Sequence, residues 1–215
     1  MDADAPGNME VQTELPLLTF PSLTATGLVR HGFTTRLGGV SEGIFSTLNL
    51  SFSRGDREDA VRENFRRVAK ALGVSEESFV FTDQTHTVNV LRVTGKDAGK
   101  GFTRERGWSD IDGLITNEPK LTLSAFFADC VPLYFVDLVN RAIGLAHSGW
   151  RGTVSRMGRV TIEAMQKEFG TNPEELICAV GPCICGSCYE IGPEVAEQFA
   201  AQSELQARMG FRSFL

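Results

Sequence analysis

Residues 131–150, which read VPLYFVDLVNRAIGLAHSGW, decide the fold. Two apolar runs of strand length, Val131–Val136 and Ala142–Ala146, lie on either side of a polar stretch in which Asn140 marks a turn. This pattern predicts two short, largely buried strands. The second strand runs into His147 and a Ser-Gly turn, and side chains at strand ends are held on a rigid frame where chemistry is often placed.

Shorter patterns on both sides of this segment extend the prediction. Apolar residues at steps of four, three and four predict a helix from Asp56 to Leu72, which Gly73 ends. Because strands and helices do not alternate strictly, we predict an α+β fold with an antiparallel or mixed sheet rather than a Rossmann fold. The other predicted strands are Thr87–Val93, Gly113–Thr116, Leu121–Phe127 and Leu176–Val180, and the other helices Thr153–Phe169 and Pro193–Leu205.

The amino-acid composition limits the classes of protein to which this chain can belong. A chain of 215 residues with 42% hydrophobic residues can bury one sizeable core, so we predict a mobile polar tail over residues 1–20 and a single domain over 21–215. The net charge of −6 disfavours nucleic acid as a partner, since that binding needs a basic face. Without an apolar run of membrane length or an export signal, five cysteines favour reduced thiols and a cytoplasmic location.

Three motifs carry the residue types that bind transition metals. The sequence has only three histidines, and two of them stand in Asp-Gln-Thr-His86 and Ala-His147-Ser-Gly-Trp, with Ala-Asp-Cys130 between them. Three nitrogen and sulfur ligands leave the fourth position of a tetrahedral Zn²⁺ open, as in catalytic sites. Asp83 and Asp129 stand beside these ligands as candidate catalytic proton carriers. Spacing alone also permits ordinary polar histidines and a small buried thiol.

Seven motifs in order, from about Gly27 to Gly192, resemble the laccase-domain family, whose members are also called multicopper polyphenol oxidase or purine nucleoside phosphorylase proteins and include peptidoglycan-editing-factor-like proteins. In this sequence the motifs read HGFTTR (31–36), LNLS (48–51), DQTH (83–86), DGLIT (112–116), ADCVP (128–132), AHSGWRG (146–152) and GPCI (181–184) followed by CYEIG (188–192).

The resemblance implies a single-domain α/β sandwich with mixed sheets and outer helices, of the cytotoxic-necrotizing-factor-like type. It implies one zinc ion on His86, Cys130 and His147. The implied activity is phosphorolysis of adenosine, inosine and methylthioadenosine, with adenosine deamination beside it, and bacterial relatives are linked to peptidoglycan precursors. Family chains usually continue into a further helix and a closing strand, so the domain over 21–215 is expected to lack that C-terminal segment.

Phosphorolysis needs a bound phosphate and help for the departing base. Guanidinium groups suit phosphate, so Arg36 and Arg151 are the predicted anion contacts. Together with residues of the family motifs, they give a predicted substrate-binding set of Arg36, Asn49, Gln84, Ser148, Gly149 and Arg151. The predicted catalytic set is Asp83, Asp129 and Cys130.

Other functions remain open from the sequence. A trinuclear copper cluster needs many more imidazoles than three, but a single Cys-His₂ copper is compatible with a polyphenol oxidase. Cys130 activated by a histidine would instead make a metal-free hydrolase, for example on a cell-wall precursor. Nucleoside binding without turnover and an oligomeric state are further alternatives. Cys178, Cys183, Cys185 and Cys188 fit either a structural zinc knuckle or a thiol-rich turn.

Overall fold

The structure is a computed structural model that describes residues 15–202. Within this range the chain forms nine strands and five α-helices, joined by loops with short 3₁₀ turns. The strands are β1 Leu17–Leu18, β2 Phe33–Thr34, β3 Phe79–Phe81, β4 Val90–Arg92, β5 Gly113–Thr116, β6 Thr122–Ser124, β7 Val131–Asp137, β8 Ala142–Ser148 and β9 Ile177–Val180. The helices are α1 Pro21–Thr24, α2 Glu58–Leu72, α3 Trp150–Val154, α4 Met157–Phe169 and α5 Pro193–Ala200.

The main sheet has five strands in the order β4-β5-β8-β7-β9. Its centre is the predicted strand pair: β7 and β8 run antiparallel in register from Val131 opposite Ser148 to Asp137 opposite Ala142. β5 and β9 join antiparallel on either side, whereas β4 runs parallel to β5. A second sheet pairs β3 and β6 in parallel, and a third pairs β1 with β2 antiparallel. The prediction of mixed sheets in one α/β domain is confirmed.

Alternating side chains of the strands tie the layers together. Phe79 and Phe81 of β3 pack against α2, while Val80 between them meets Leu114 of the main sheet. The next residue of β5, Ile115, lies in the core under α4. Because neighbouring residues of a strand face opposite sides, each strand serves two layers. The order of layers is therefore α2, the β3–β6 sheet, the main sheet and α4.

The helix predictions hold best where the periodicity is long. α2 ends at Leu72, and Gly73 follows in the left-handed conformation with φ of 64°, which glycine adopts at little cost. The prediction of one helix over 153–169 is wrong in the first turn of that range. α3 and α4 are separate helices because Arg156 takes a left-handed conformation with φ of 62° between them.

Several predicted boundaries also differ. The strand predicted from Thr87 is confined to Val90–Arg92, because the Thr87 N–H and the Thr87 and Asn89 side chains bond to residues 110 and 112. Leu15 is buried and β1 pairs with β2, so the predicted tail boundary at residue 20 falls inside folded chain. The remainder of that tail, residues 1–14, and the end of the helix predicted to 205 lie outside the described residues. Among residues 15–202, every helix is too short or too polar to cross a bilayer.

Candidate metal centre

Three separate segments bring the predicted metal ligands together. His86 stands in the turn between β3 and β4, Cys130 directly precedes β7, and His147 lies near the end of β8, where it pairs with Pro132 of β7. One donor atom from each residue lies within 4.8 Å of the other two. The Cys130 Sγ is 3.8 Å from the His86 Nε2, and the two imidazole rings are 5.0 Å apart at 72°.

This spacing fits one metal ion. Bond lengths of about 2.0–2.3 Å place tetrahedral ligand atoms about 3.3–3.6 Å apart, so donors that lie within 4.8 Å of one another need to close by at most about 1.5 Å. Two imidazoles and a thiolate suit both Zn²⁺ and copper. His86 is exposed and Cys130 half-buried, whereas His147 is buried, so the open side of the cluster is at His86 and Cys130.

Gly149 shapes the floor of the cluster. A Cβ atom at this position would lie 2.7 Å from the His86 Cδ2 and 3.0 Å from the Cys130 Sγ. Its backbone, with φ of −73° and ψ of −178°, is one that any residue adopts. The glycine is therefore required by the close approach of two metal ligands and not by backbone conformation. Gly149 thus has a packing role at the cluster, and its predicted contact with substrate stays a prediction.

Asp112, to which the sequence analysis gave no role, organises both histidines. The carboxylate is fully buried, and its Oδ1 lies 2.7 Å from the His147 Nδ1 and accepts a hydrogen bond from the His86 backbone N–H at 3.1 Å. Its Oδ2 accepts from the Thr85 N–H at 3.2 Å and from the Thr87 N–H and hydroxyl, each at 2.8 Å. With its Nδ1 proton directed at Asp112, His147 presents an unprotonated Nε2 to the cluster.

These contacts keep Asp112 ionised. Burial raises the pKa of the carboxyl, but the hydrogen bonds from His147, Thr87 and Thr85 outweigh burial and lower the pKa to about 2. The same carboxylate holds the backbone of His86, whose φ of 67° is uncommon for a residue with a side chain. Asp112 thus fixes the orientation of one ligand through its ring and of the other through its backbone.

The thiol of Cys130 differs from that of an activated cysteine nucleophile. Burial, together with the negative charges of Asp129 and Asp112, raises its pKa. A nucleophilic cysteine needs the opposite shift, which cationic neighbours or a helix N-terminus supply. A divalent cation at the cluster would compensate the same negative charges. The environment of Cys130 therefore favours a metal ligand over the metal-free hydrolase.

The cluster lies at the wall of a cavity of about 1560 Å³ between the α2 side of the molecule and strands β7 and β8. His86, Cys130 and His147 all line it, as do four other predicted site residues: Arg36, Asp83, Gln84 and Asp129.

Two of these four already have protein partners. The Gln84 amide donates to the Phe126 carbonyl at 2.5 Å and accepts from the Phe126 N–H at 2.8 Å, so it clamps the backbone of a neighbouring segment. The Asp83 carboxylate forms an ion pair with Arg106 and accepts from the Asp110 N–H at 3.1 Å. Asp129 is exposed and directly precedes Cys130.

Like Gly149, three other predicted substrate contacts are not among the residues that line this cavity. Asn49 folds back on its own loop, where its side chain bonds to Ser51 and Asp56. The Ser148 hydroxyl is buried and lies 2.9 Å from the Thr153 hydroxyl. Arg151 is exposed and stacks its guanidinium 4.3 Å from the centre of the Trp150 ring. The structure gives all three roles within the protein.

Sequence reasoning missed two aromatic rings and one cation of the cavity wall. Phe126 and Phe127 directly precede the Ala-Asp-Cys motif and line the cavity, with the Phe127 ring 5.6 Å from that of His147. Phe126 is 46% exposed and stacks on Phe81. Arg106 adds a positive charge. Adjacency to a ligand motif was the signal that would have found the aromatic pair.

The fold and the cluster define a mixed α/β protein with three candidate metal ligands, open on one side, at the wall of a cavity. The family described as multi-copper polyphenol oxidoreductase laccase matches residues 30–213, and the chain belongs to this family. The purine nucleoside phosphorylase YlmD of Bacillus subtilis is 40% identical over 79% of this chain and 62% of its own length. A purine nucleoside phosphorylase of Deinococcus radiodurans is 42% identical over 87% of this chain and 68% of its own.

Solved structures agree with the family assignment. The crystal structure of the Bacillus licheniformis hypothetical protein YfiH superimposes with a TM-score of 0.83 at 32% identity, over 99% of this chain and 75% of that one. The chain thus spans about three fifths to three quarters of the length of these relatives.

Proposed function

We propose that the chain carries the metal centre and cavity of a zinc-dependent purine nucleoside phosphorylase, which converts adenosine, inosine or methylthioadenosine and phosphate to the free base and the ribose 1-phosphate. The observation that carries the proposal is the convergence of His86, Cys130 and His147 within 4.8 Å at a cavity wall. Relatives at 40% and 42% identity bear the name purine nucleoside phosphorylase.

The cavity suits a two-substrate reaction. Small-molecule pockets measure about 300–1,000 Å³, so about 1560 Å³ leaves room for a nucleoside and a phosphate together. Phe126 and Phe127 offer apolar ring faces to a purine, and Arg36 offers a guanidinium to an anion. The Arg36 Nη2 donates to the Ser46 carbonyl at 3.0 Å, which fixes the direction of its fork.

The remaining requirements of the reaction are a Lewis acid and a proton carrier. Zinc, when bound by His86, Cys130 and His147, supplies a Lewis acid and lowers the pKa of water. Of the two predicted proton carriers, we favour Asp129, because it is exposed on the cavity wall while Asp83 is engaged by Arg106. Asp129 would take a proton from the attacking dihydrogen phosphate and pass it to the departing purine as the bond between the sugar and the base breaks.

Two further activities are compatible with the same metal centre, and we rank both below phosphorolysis. Adenosine deamination needs zinc and a proton carrier, which are the groups already assigned. Phenol oxidation would use a single copper on the same three ligands, since the whole sequence contains only three histidines.

The test is to incubate the zinc-loaded protein with adenosine, with and without phosphate. Phosphate-dependent release of adenine and ribose 1-phosphate, lost in Cys130→Ala and kept in the matched variant Cys178→Ala, supports the proposal. Release of inosine alone would assign a deaminase instead. Nucleoside binding without any product would leave a binding module, and phenol oxidation by only the copper-loaded protein would assign an oxidase.

A further inference from the structure

The metal centre uses only one of the five cysteines. Three others, Cys183, Cys185 and Cys188, lie in the turn that follows β9, which we call the thiol turn (residues 183–188). All three are free and exposed. The metal-binding cluster of the described residues does not include them, so their chemistry is separate from that of Cys130.

The backbone of the thiol turn brings Cys185 and Cys188 together. The Cys188 N–H donates to the Cys185 carbonyl at 3.0 Å, and the Tyr189 N–H donates to the same oxygen at 3.1 Å. Such a turn places the Cα atoms of its first and fourth residues less than about 7 Å apart. A disulfide needs Cα atoms about 4.4–6.8 Å apart, so this Cys-x-x-Cys pair can close without refolding the turn.

The sulfur of Cys185 is set up as the attacking atom. Its Sγ lies 3.1 Å from the Ser187 hydroxyl. Hydrogen bonds from Ser187 and Cys188 lower the pKa of the Cys185 thiol to about 7. Burial has the opposite effect on Cys178, whose pKa is raised. A thiol that is exposed, half-ionised near neutral pH and adjacent to a second thiol meets the requirements for thiol–disulfide exchange.

We propose that Cys185 and Cys188 form a thiol–disulfide exchange site for low-molecular-weight disulfides such as glutathione disulfide. The Cys185 thiolate attacks one sulfur of the disulfide, forms a mixed disulfide and releases one thiolate. The Cys188 sulfur then attacks the Cys185 sulfur, loses its proton to solvent and releases the second thiolate. The two cysteines are oxidised by two electrons, and the small disulfide is reduced to two thiols.

The thiol turn is tied to the metal centre through its backbone. The Ile184 N–H donates to the carbonyl of Asp129, the residue before Cys130, at 3.0 Å. Zinc should therefore be bound during the experiment, so that Cys130 is protected and the segment keeps its position.

The test treats the zinc-loaded protein with glutathione disulfide, blocks free thiols with an alkylating agent and maps peptides by mass spectrometry. We expect a Cys185–Cys188 disulfide in the unaltered protein and a single glutathione adduct on Cys185 in Cys188→Ser. Cys185→Ser should form neither product. Cys183→Ser, the matched control from the same turn, should behave like the unaltered protein.

Alkylation rates give a second measurement. The rate at Cys185 should rise with pH around a midpoint of about 7. At pH 7 it should exceed that of an ordinary thiol about threefold, because a roughly fifteenfold larger thiolate fraction is offset by lower nucleophilicity. A disulfide that forms as fast in Cys185→Ser, an adduct that settles on Cys183 in Cys188→Ser, or a midpoint near 9 would overturn the proposal.

Discussion

Replacement of Asp112 by asparagine exchanges one carboxylate oxygen for an NH₂ group and tests how the metal centre is oriented. If the amide oxygen faces Thr85 and Thr87, the amide NH₂ faces the His147 Nδ1, which must then accept a hydrogen bond. The imidazole proton of His147 then moves to Nε2, where it blocks metal binding. If the amide oxygen faces His147 and His86 instead, the Thr85 and Thr87 N–H groups lose their partner. Each buried, unsatisfied N–H costs about 1–3 kcal/mol.

Both orientations therefore weaken the centre. We expect the zinc affinity of Asp112→Asn to fall about 10- to 100-fold, as for other partners that orient metal-bound histidines. The assay is zinc competition against a chromogenic chelator, with the unfolding midpoint measured in parallel. Asp110→Asn is the matched control, because Asp110 is exposed and accepts from the Thr85 hydroxyl without touching a ligand.

If Asp112→Asn fails to fold, Thr87→Val removes a single hydroxyl bond to the carboxylate and should lower zinc affinity by a smaller factor. Unchanged zinc affinity in a folded Asp112→Asn, or an equal loss in Asp110→Asn, would refute the orienting role.

Three further results are expected. Gly149→Ala should lower zinc affinity at least about tenfold, because the added Cβ would press on two ligands. Gly152→Ala should leave zinc affinity unchanged, because its Cβ meets atoms no nearer than 3.5 Å. Equal zinc affinities of the two variants would contradict this. The metal-free protein should lose about 2 kcal/mol of unfolding free energy as the pH falls from about 4 to 2. The reason is that folding lowers the Asp112 pKa from 3.8 to about 2, so the ionised carboxylate stabilises the folded protein above this pH range and not below it. Urea titrations of Asp112→Asn should lack this loss. Phe126→Ala should raise the KM for adenosine about three- to tenfold through lost ring contact, with Phe52→Ala unchanged as an exposed aromatic control; identical KM values would exclude Phe126 from the binding wall.

The sequence was most informative where one physical signal dominated. The paired strands β7 and β8 and the long amphipathic helix α2 follow directly from apolar periodicity, so both were predicted nearly to the residue. The break between α3 and α4 could not be read this way, because Arg156 adopts a left-handed conformation that no local residue type announces.

The site was predictable to a similar degree. The three candidate ligands follow from residue type and motif, since few side chains bind transition metals, and the structure brings them together. Their partners were not predicted: Asp112, just before β5, reaches His147 of the neighbouring strand, and Gln84, which lines the cavity, also binds the backbone of Phe126. Such contacts depend on which strands become neighbours. Asn49 and Ser148 form hydrogen bonds with nearby residues of the chain, and their predicted contact with substrate stays a prediction.

The most direct test of the account is the zinc content of protein purified without added metal, compared with that of Cys130→Ala and of Cys183→Ala. We expect about one zinc per chain, bound by one sulfur and two imidazole nitrogens at about 2.0–2.3 Å by X-ray absorption. The zinc should be lost in Cys130→Ala and retained in Cys183→Ala. Full zinc in Cys130→Ala, or a coordination sphere without sulfur, would contradict it.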